Sequence, residues 1–341
     1  MSAVLNGLRR PVIAAPMAGG PSTPELVAAV GDAGGLGFLA AGYRTPEQVE
    51  EQIAATRSLS NAPFGVNLFV PTVNSRLRDG EPVELYADRL APIARRLGAE
   101  VGEARWDDTD HFAAKVELLL RARPAMVSFM FGCPPVHVVQ RLRAAGIEVM
   151  LTVTGADEAL AAGRAGADVL CVQGVESGGH RGTHTVDKEP NDRETAELLR
   201  EVRSVTAMPL VAAGGVGSAE DAALLLRRGA TAVQCGTAFL LTPEAGTSAA
   251  HRAGLTDSRY AERVVTRAWS GRPATGLRNA FIDAVGADAP AVYPIVDQLT
   301  KPLRAAAAQA EDADHVALWA GARWQGISSG SAADVVAHIA P

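Results

Sequence analysis

From Pro11 onward the chain alternates between short runs dense in apolar residues and longer stretches in which Ala and Leu recur at helical spacing. The short runs read PVIAAP (11–16), GLGFLA (35–40), FGVNLFV (64–70), AMVSFMF (125–131), EVMLTV (148–153), ADVLCVQ (167–173), PLVAAG (209–214) and TAVQCGTAFL (231–240). Helices are predicted to follow from about Thr23, Thr45, Pro135, Ala156, Asp192 and Ser218, with further helical segments between 71 and 121. Strands alternating with helices imply parallel pairing, and eight such units are the number that closes a barrel. The predicted fold class is therefore α/β, a (β/α)8 TIM barrel. An open doubly wound sheet would be supported by a G-x-G-x-x-G turn after the first strand. The nearest candidate, GDAGGLG (31–37), instead follows a helix and leads into a strand.

Two stretches break the repeat. Residues 71–122 are too long for an ordinary strand-to-helix loop, and 242–310 lie beyond the eighth strand. The expected organisation is a barrel of 1–70 and 123–241, with 311–341 packing back on it. A smaller, mostly helical cap, the substrate region, is built from the insertions after strands three and eight.

Composition narrows the function. Hydrophobic residues make up 48% of the chain but aromatics only 5%, which suits Ala-, Val- and Leu-filled parallel strands under Ala-rich helices. A net charge of -6 without a Lys/Arg run speaks against nucleic acid and for a small-molecule partner. No segment reaches the apolar length of a membrane span. Cys133, Cys171 and Cys235 lie far apart, two of them in apolar runs, so they read as reduced thiols packed in a core. With an N-terminus interrupted by Pro16 rather than shaped as a secretory signal, the expected location is cytoplasmic.

Chemistry in such barrels sits where strands end, which makes a short list. Met17 follows the first strand, Asn67 lies near the end of the third, and Gln173 closes the sixth. After Gln173 comes GVESGGHRGTH (174–184), where Gly178 and Gly179 precede His180. Tandem glycines imply a sharp turn or a close approach. Gly214, Gly215 and Gly217 precede one helix, and Gln234, Cys235, Gly236 and Thr237 are expected to precede another. Free backbone N–H groups and two positive helix ends would then face one anion, most simply a phosphate. The plainer alternative makes these glycines tight corners only. A metal site using His180 and His184 finds no third ligand nearby, so none is expected.

PVIAAPMAGG, GVNLFV, VQGVESGGHRG, PLVAAGGVGSAEDAALLLRRGATAVQCGTAFL and, more loosely, LWAG together resemble the nitronate monooxygenase family, formerly 2-nitropropane dioxygenases, across most of the chain. Ala322 stands where relatives often carry Gln after LWAG, and Ser177 where Ala is common. The resemblance implies an FMN-dependent enzyme that converts an alkyl nitronate, or a nitroalkane, with O2 into a carbonyl compound and nitrite. His180 would be catalytic, as a base or as an electrostatic stabiliser. Met17, Asn67, Gln173, Gly178, Gly179, Gly214, Gly215, Gln234, Cys235, Gly236 and Thr237 would contact FMN. Tyr293 and Lys301, in the segment expected to cover the site, are candidate substrate contacts; the alternative packs Tyr293 on Pro294 and leaves Lys301 in solvent. Two rival readings are an FMN-dependent enoyl-thioester reductase consuming NAD(P)H and a non-catalytic flavin-binding barrel.

Overall fold

A computed structural model describes residues 2–341. Eight parallel strands close into a barrel: β1 (Val12–Ala14), β2 (Leu36–Ala40), β3 (Phe64–Phe69), β4 (Met126–Met130), β5 (Glu148–Val153), β6 (Val169–Gln173), and then, past β7 (Gly179–His180), β8 (Leu210–Ala213) and β9 (Ala232–Cys235). β9 returns to β1 through Val12↔Val233 and Ala14↔Cys235.

Because side chains alternate across a strand, each barrel strand sends one set outward and the other inward. Outward residues such as Val12, Leu39, Val127, Leu151, Leu170, Leu210 and Val233 join the surrounding helices in one continuous core. Inward ones, Ile13, Leu36, Phe38, Met126, Met150, Val169, Cys171 and Val211, fill the barrel axis. The short helix Ala3–Asn6 brings Leu5 to this inner cluster, and its first N–H groups, on Ala3 and Val4, donate to Glu148 at 2.6 and 3.0 Å. Toward the strands' C-terminal ends the inward set turns polar, with Asn67, Ser128, Thr152, Gln173 and Gln234 ringing the axis. The register sets Asn67 beside Ser128 and Ala213 between Gln173 and Gln234.

The helix Phe112–Ala122 contributes Val116, Leu118 and Leu119 to the outer core, so the chain rejoins the barrel at Phe112 and not at 123. The last helix, Ala332–Ile339, lies against Pro24–Asp32 and Ala219–Arg227 and closes the ring of helices over the β9–β1 seam. Helices Arg76–Arg96, Ala280–Val285 and Ile295–Gln309 share a second core of Tyr86, Leu90, Ile93, Phe281, Ile295, Val296 and Leu299. Trp269 stacks on Phe281 within it at 3.9 Å between ring centroids. This upper body also contains a small antiparallel sheet that hydropathy did not predict: β10 (Arg263–Thr266), β11 (Ala274–Leu277) and β7, in the order β10-β11-β7. No helix of the described residues is long and apolar enough to cross a membrane.

The barrel axis depends on one absent side chain. A Cβ at Gly65 of β3 would lie 2.2 Å from the Phe38 ring of β2, so Phe38 occupies space that Gly65 leaves. Gly65→Val is expected to lower stability by about 1–3 kcal/mol through overpacking. Phe38→Leu introduced into that variant should restore part of the loss, as read from urea midpoints; no recovery would place the strain elsewhere.

Candidate active site

At the C-terminal end of the barrel a cavity of about 460 Å³ opens between the polar ring and the cap. Met17, Asn67, Gln173, Gly178, Gly179, His180, Gly214, Gly215, Gln234, Cys235, Gly236, Thr237 and Lys301 all line it. Tyr293 is buried just behind the wall, among Phe69, Phe131 and Val186.

The excursion after β6 explains how His180 reaches this cavity. Gln173 receives the Gly182 N–H on Oε1 at 2.7 Å, and its Nε2 donates to the His180 carbonyl at 3.0 Å. The glycine segment is thus stapled back onto its own strand, and His180 pairs with Ala274 of β11 in the cap sheet. Gly178 meets the demand for a close approach: a Cβ there would lie 2.5 Å from the Gly321 nitrogen. What reads as a flexible loop is a fixed strand bridging barrel and cap.

The His180 ring is packed edgewise by Phe131 and Tyr293, centroids at 5.5 and 6.2 Å, and tilted against Trp319 at 5.6 Å. Its Nε2 is hydrogen-bonded to Ser270 Oγ at 2.7 Å, and the same oxygen accepts the Arg272 backbone N–H at 3.3 Å. The ring keeps some surface because it faces the cavity, yet it lies deep beneath the cap. That burial, reinforced by the positive charges of Arg272 and Arg304, pushes its pKa down to about 3. His180 is therefore neutral at physiological pH. His184, in contrast, turns to the Thr152 carbonyl (3.1 Å) and the Cys133 sulfur (3.9 Å), so the two histidines serve different partners.

The opposite corner is built to receive an anion. Gly214 and Gly215 take φ of +110° and +74°, a left-handed turn that presents backbone N–H groups to the cavity. Among the described residues the N–H groups of Gly215, Val216, Gly236 and Thr237 have no hydrogen-bond acceptor, and all four residues line the cavity. The helix Ala219–Arg227 adds the positive end of its dipole. The second helix end expected after Cys235 is missing, because Thr237–Phe239 is a single 3-10 turn and the chain leaves for the cap after Phe239. Thr237 Oγ1 accepts the Gly321 N–H at 2.9 Å, which leaves its proton free to donate. Beside this corner the Glu176 carboxylate accepts the Thr195 N–H and hydroxyl at 2.7 and 2.6 Å.

At the cavity floor Asn67 Nδ2 donates to Ser128 Oγ at 2.9 Å, leaving its carbonyl oxygen for a ligand. Gln234 donates to Cys171 Sγ at 3.4 Å, and its Oε1 is buried without a partner. A buried acceptor left unpaired is costly unless a ligand N–H satisfies it. The Cys171 and Cys235 thiols are both pushed up to about 12 by burial, which makes them packing groups and not nucleophiles. On the cap helix Asp297, Lys301 and Arg304 share the cavity-facing side; Asp297 is paired with Arg304 at 2.7 Å, while Lys301 is exposed at the mouth.

Ser270, Arg272 and Tyr43 belong to no motif, and Trp319, although part of LWAG, carries no sequence signal of its place beside His180. Ser270, Arg272 and Trp319 lie far from the glycine loops in sequence and reach the His180 neighbourhood through the cap fold, while Tyr43 enters the cavity wall from the turn after β2.

The family model for nitronate monooxygenase matches residues 3–341. The chain belongs to the nitronate monooxygenase family. A nitronate monooxygenase of Pseudomonas aeruginosa is 39% identical over 325 residues, covering 93% of this chain and 91% of that protein. Among solved structures, the nitroalkane oxidase of Streptomyces ansochromogenes superposes with a TM-score of 0.94 at 42% identity, covering 99% of this chain and 97% of that one. FabK from Thermotoga maritima, with a TM-score of 0.76 at 24% identity over 99% and 93% of the two chains, shares the fold.

A second buried histidine of this family member makes a pH prediction possible. His251 lines the same cavity and donates from Nε2 to the Trp319 carbonyl at 3.0 Å; burial pushes its pKa down to about 4. The unfolded chain protonates this residue near pH 6.5 while the folded chain does not. The His251 contribution to stability should be full above that pH, fall as the pH drops from about 6.5, and level off below about 4, a loss on the order of 3 kcal/mol. His251→Gln, whose amide can still donate to Trp319, should lose less between pH 7 and 4.5 in denaturant titrations. An identical pH slope for both proteins would contradict the assignment.

Proposed function

We propose that this protein binds FMN and uses it to oxidise alkyl nitronates, or nitroalkanes, with O2 to a carbonyl compound and nitrite. The observation that carries this reading is His180 facing, from beneath the cap, a cavity whose opposite corner gathers unpaired backbone N–H groups. A flavin phosphate suits the unpaired N–H groups of Gly215, Val216, Gly236 and Thr237. A ring N–H suits the orphaned Gln234 Oε1, and Met17 offers a polarisable surface for a flat ring. Asn67 supplies an acceptor. Gln173, with both ends of its amide engaged, contributes mainly by fixing the His180 strand.

A nitronate already carries its negative charge on the nitro oxygens, so the protein needs to hold and orient it and to exclude competing water. Once bound, the flavin supplies one-electron redox chemistry and reactivity toward oxygen. His180, neutral before substrate arrives, does not serve as a fixed cation for the nitronate. It is in the form that can accept the α-proton of a neutral nitroalkane. The charges of Arg272 and Arg304, which add to burial in keeping the imidazole neutral, also favour the anion which that proton transfer creates. Ser270, whose hydroxyl can donate or accept, holds the ring in either protonation state.

His180→Asn is expected to retain flavin and to lose activity on neutral nitroalkanes by a factor on the order of 10² or more, the usual range for a proton-transfer residue. Its loss on preformed nitronates should be much smaller. Wild-type kcat/KM on a nitroalkane should show no titration with a histidine-like midpoint near pH 6.5. Anaerobic mixing gives the broader test: bleaching of the flavin absorbance by a nitronate supports the proposal, whereas bleaching by NAD(P)H alone would favour an enoyl-thioester reductase, and neither would favour a binding barrel.

A further inference from the structure

Tyr43 follows β2 and lies on the cavity wall in a backbone conformation that side-chain-bearing residues seldom adopt, with φ of +68°. Such a conformation persists only where the surroundings impose it. Here two groups do so. The Tyr43 N–H donates to Asp110 Oδ1 at 3.0 Å, and the Ala41 carbonyl, two residues earlier, accepts from Lys115 Nζ at 2.8 Å. Asp110 and Lys115 are themselves paired at 2.8 Å, and Lys115 is completely buried. One ion pair thus grips the turn from both sides.

Taking a lysine out of water is expensive, and burial lowers the Lys115 pKa while raising that of Asp110. The core position itself asks for no charge, since Val116, Leu118 and Leu119 on the same helix pack with apolar neighbours. What the pair achieves locally is the orientation of Tyr43. Its ring stands edge-on to Phe69 at 5.5 Å between centroids, and its hydroxyl receives a long hydrogen bond of 3.4 Å from Tyr293, the residue packed beside His180. With Tyr293 as donor, the Tyr43 proton remains available. Burial raises the pKa of both phenols, so both stay protonated donors.

We propose that Tyr43 contacts the substrate, donating its O–H to a nitro oxygen of the bound nitronate, and that the Lys115–Asp110 pair is the positioning device that holds it there. This rests on the nitronate reading given above. The pair continues into the cap: Asp108 Oδ1 accepts the Asp110 N–H at 2.8 Å, and Asp108 Oδ2 accepts from Gln298 at 2.7 Å on the helix that carries Lys301. Tyr43 and the mouth of the cavity are therefore set by one connected network.

The test uses the flavin-loaded enzyme and the variants Tyr43→Phe, Lys115→Met and Tyr43→Phe/Lys115→Met, with flavin content and melting temperature measured for each. Tyr43→Phe should keep its flavin and raise KM for a nitronate about tenfold or more, the loss expected for a hydrogen bond to a charged group, with a smaller change in kcat. Lys115→Met should show the same KM shift, and the double variant should show no more than either single, because both changes remove one contact. If Lys115→Met does not fold, Asp110→Asn takes its place in the cycle. An unchanged KM in Tyr43→Phe overturns the substrate contact, and additive KM shifts overturn the positioning role. Anaerobic bleaching of the wild-type flavin by the same nitronate separates these outcomes from failure of the functional reading: wild type that does not bleach refutes that reading itself.

Discussion

The side-chain amide of Gln173 is the hinge pin of this site. It is the last residue of a barrel strand, yet its two polar atoms hold the far end of the glycine excursion, and the backbone between them has nowhere to go but across the cavity. Once His180 is held in that position, it becomes an edge on which a sheet can grow, and β11 pairs with it. Barrel and cap are joined in the same stroke that delivers the histidine. The cap core of Tyr86, Phe281 and Ile295 then settles over the barrel mouth and removes His180 from water.

Desolvation governs what the site can do. A histidine in water shares its time between two charge states near neutrality, but beneath this cap and beside two arginines it holds one. The surrounding Phe131, Tyr293 and Trp319 form an apolar collar, and polar groups within it are few and directed. The anion corner works the opposite way, by leaving backbone N–H groups unpaired and side chains absent. The cavity is thus divided into a polar end of unpaired backbone donors and an aromatic end around His180, and the amides of Asn67 and Gln234 also line it.

Much of this was legible in the residue pattern, because the relevant signals are local. Thr23, Thr45 and Ser218 cap the helices that follow them, and period-two alternation places Asn67, Gln173 and Gln234 on the inner face. The cap escaped for the opposite reason. β10 and β11 are four residues each, and the second partner of β11 is the Gly179–His180 segment that reads as coil, so the sheet exists only through contacts between distant segments. Phe112–Ala122 was assigned to the cap because a long polar stretch precedes it; its apolar face belongs to the barrel. Tyr43 carries no motif at all, and its importance rests on a charge pair some seventy positions away in the chain.

The closure of the barrel bears on how a ligand in the glycine corner would be retained. The seam between β1 and β9 brings together residues from opposite ends of the barrel sequence, and Ala332–Ile339 covers that seam. Just ahead of it, Gly321 and Ala322 fasten themselves to Thr237 and to the Glu176 carbonyl, across the anion corner. The glycine corner is therefore completed by a segment from outside the barrel repeat. A ligand seated in that corner would have to pass this crossing to escape, so the two hydrogen bonds that pin it set a barrier to release.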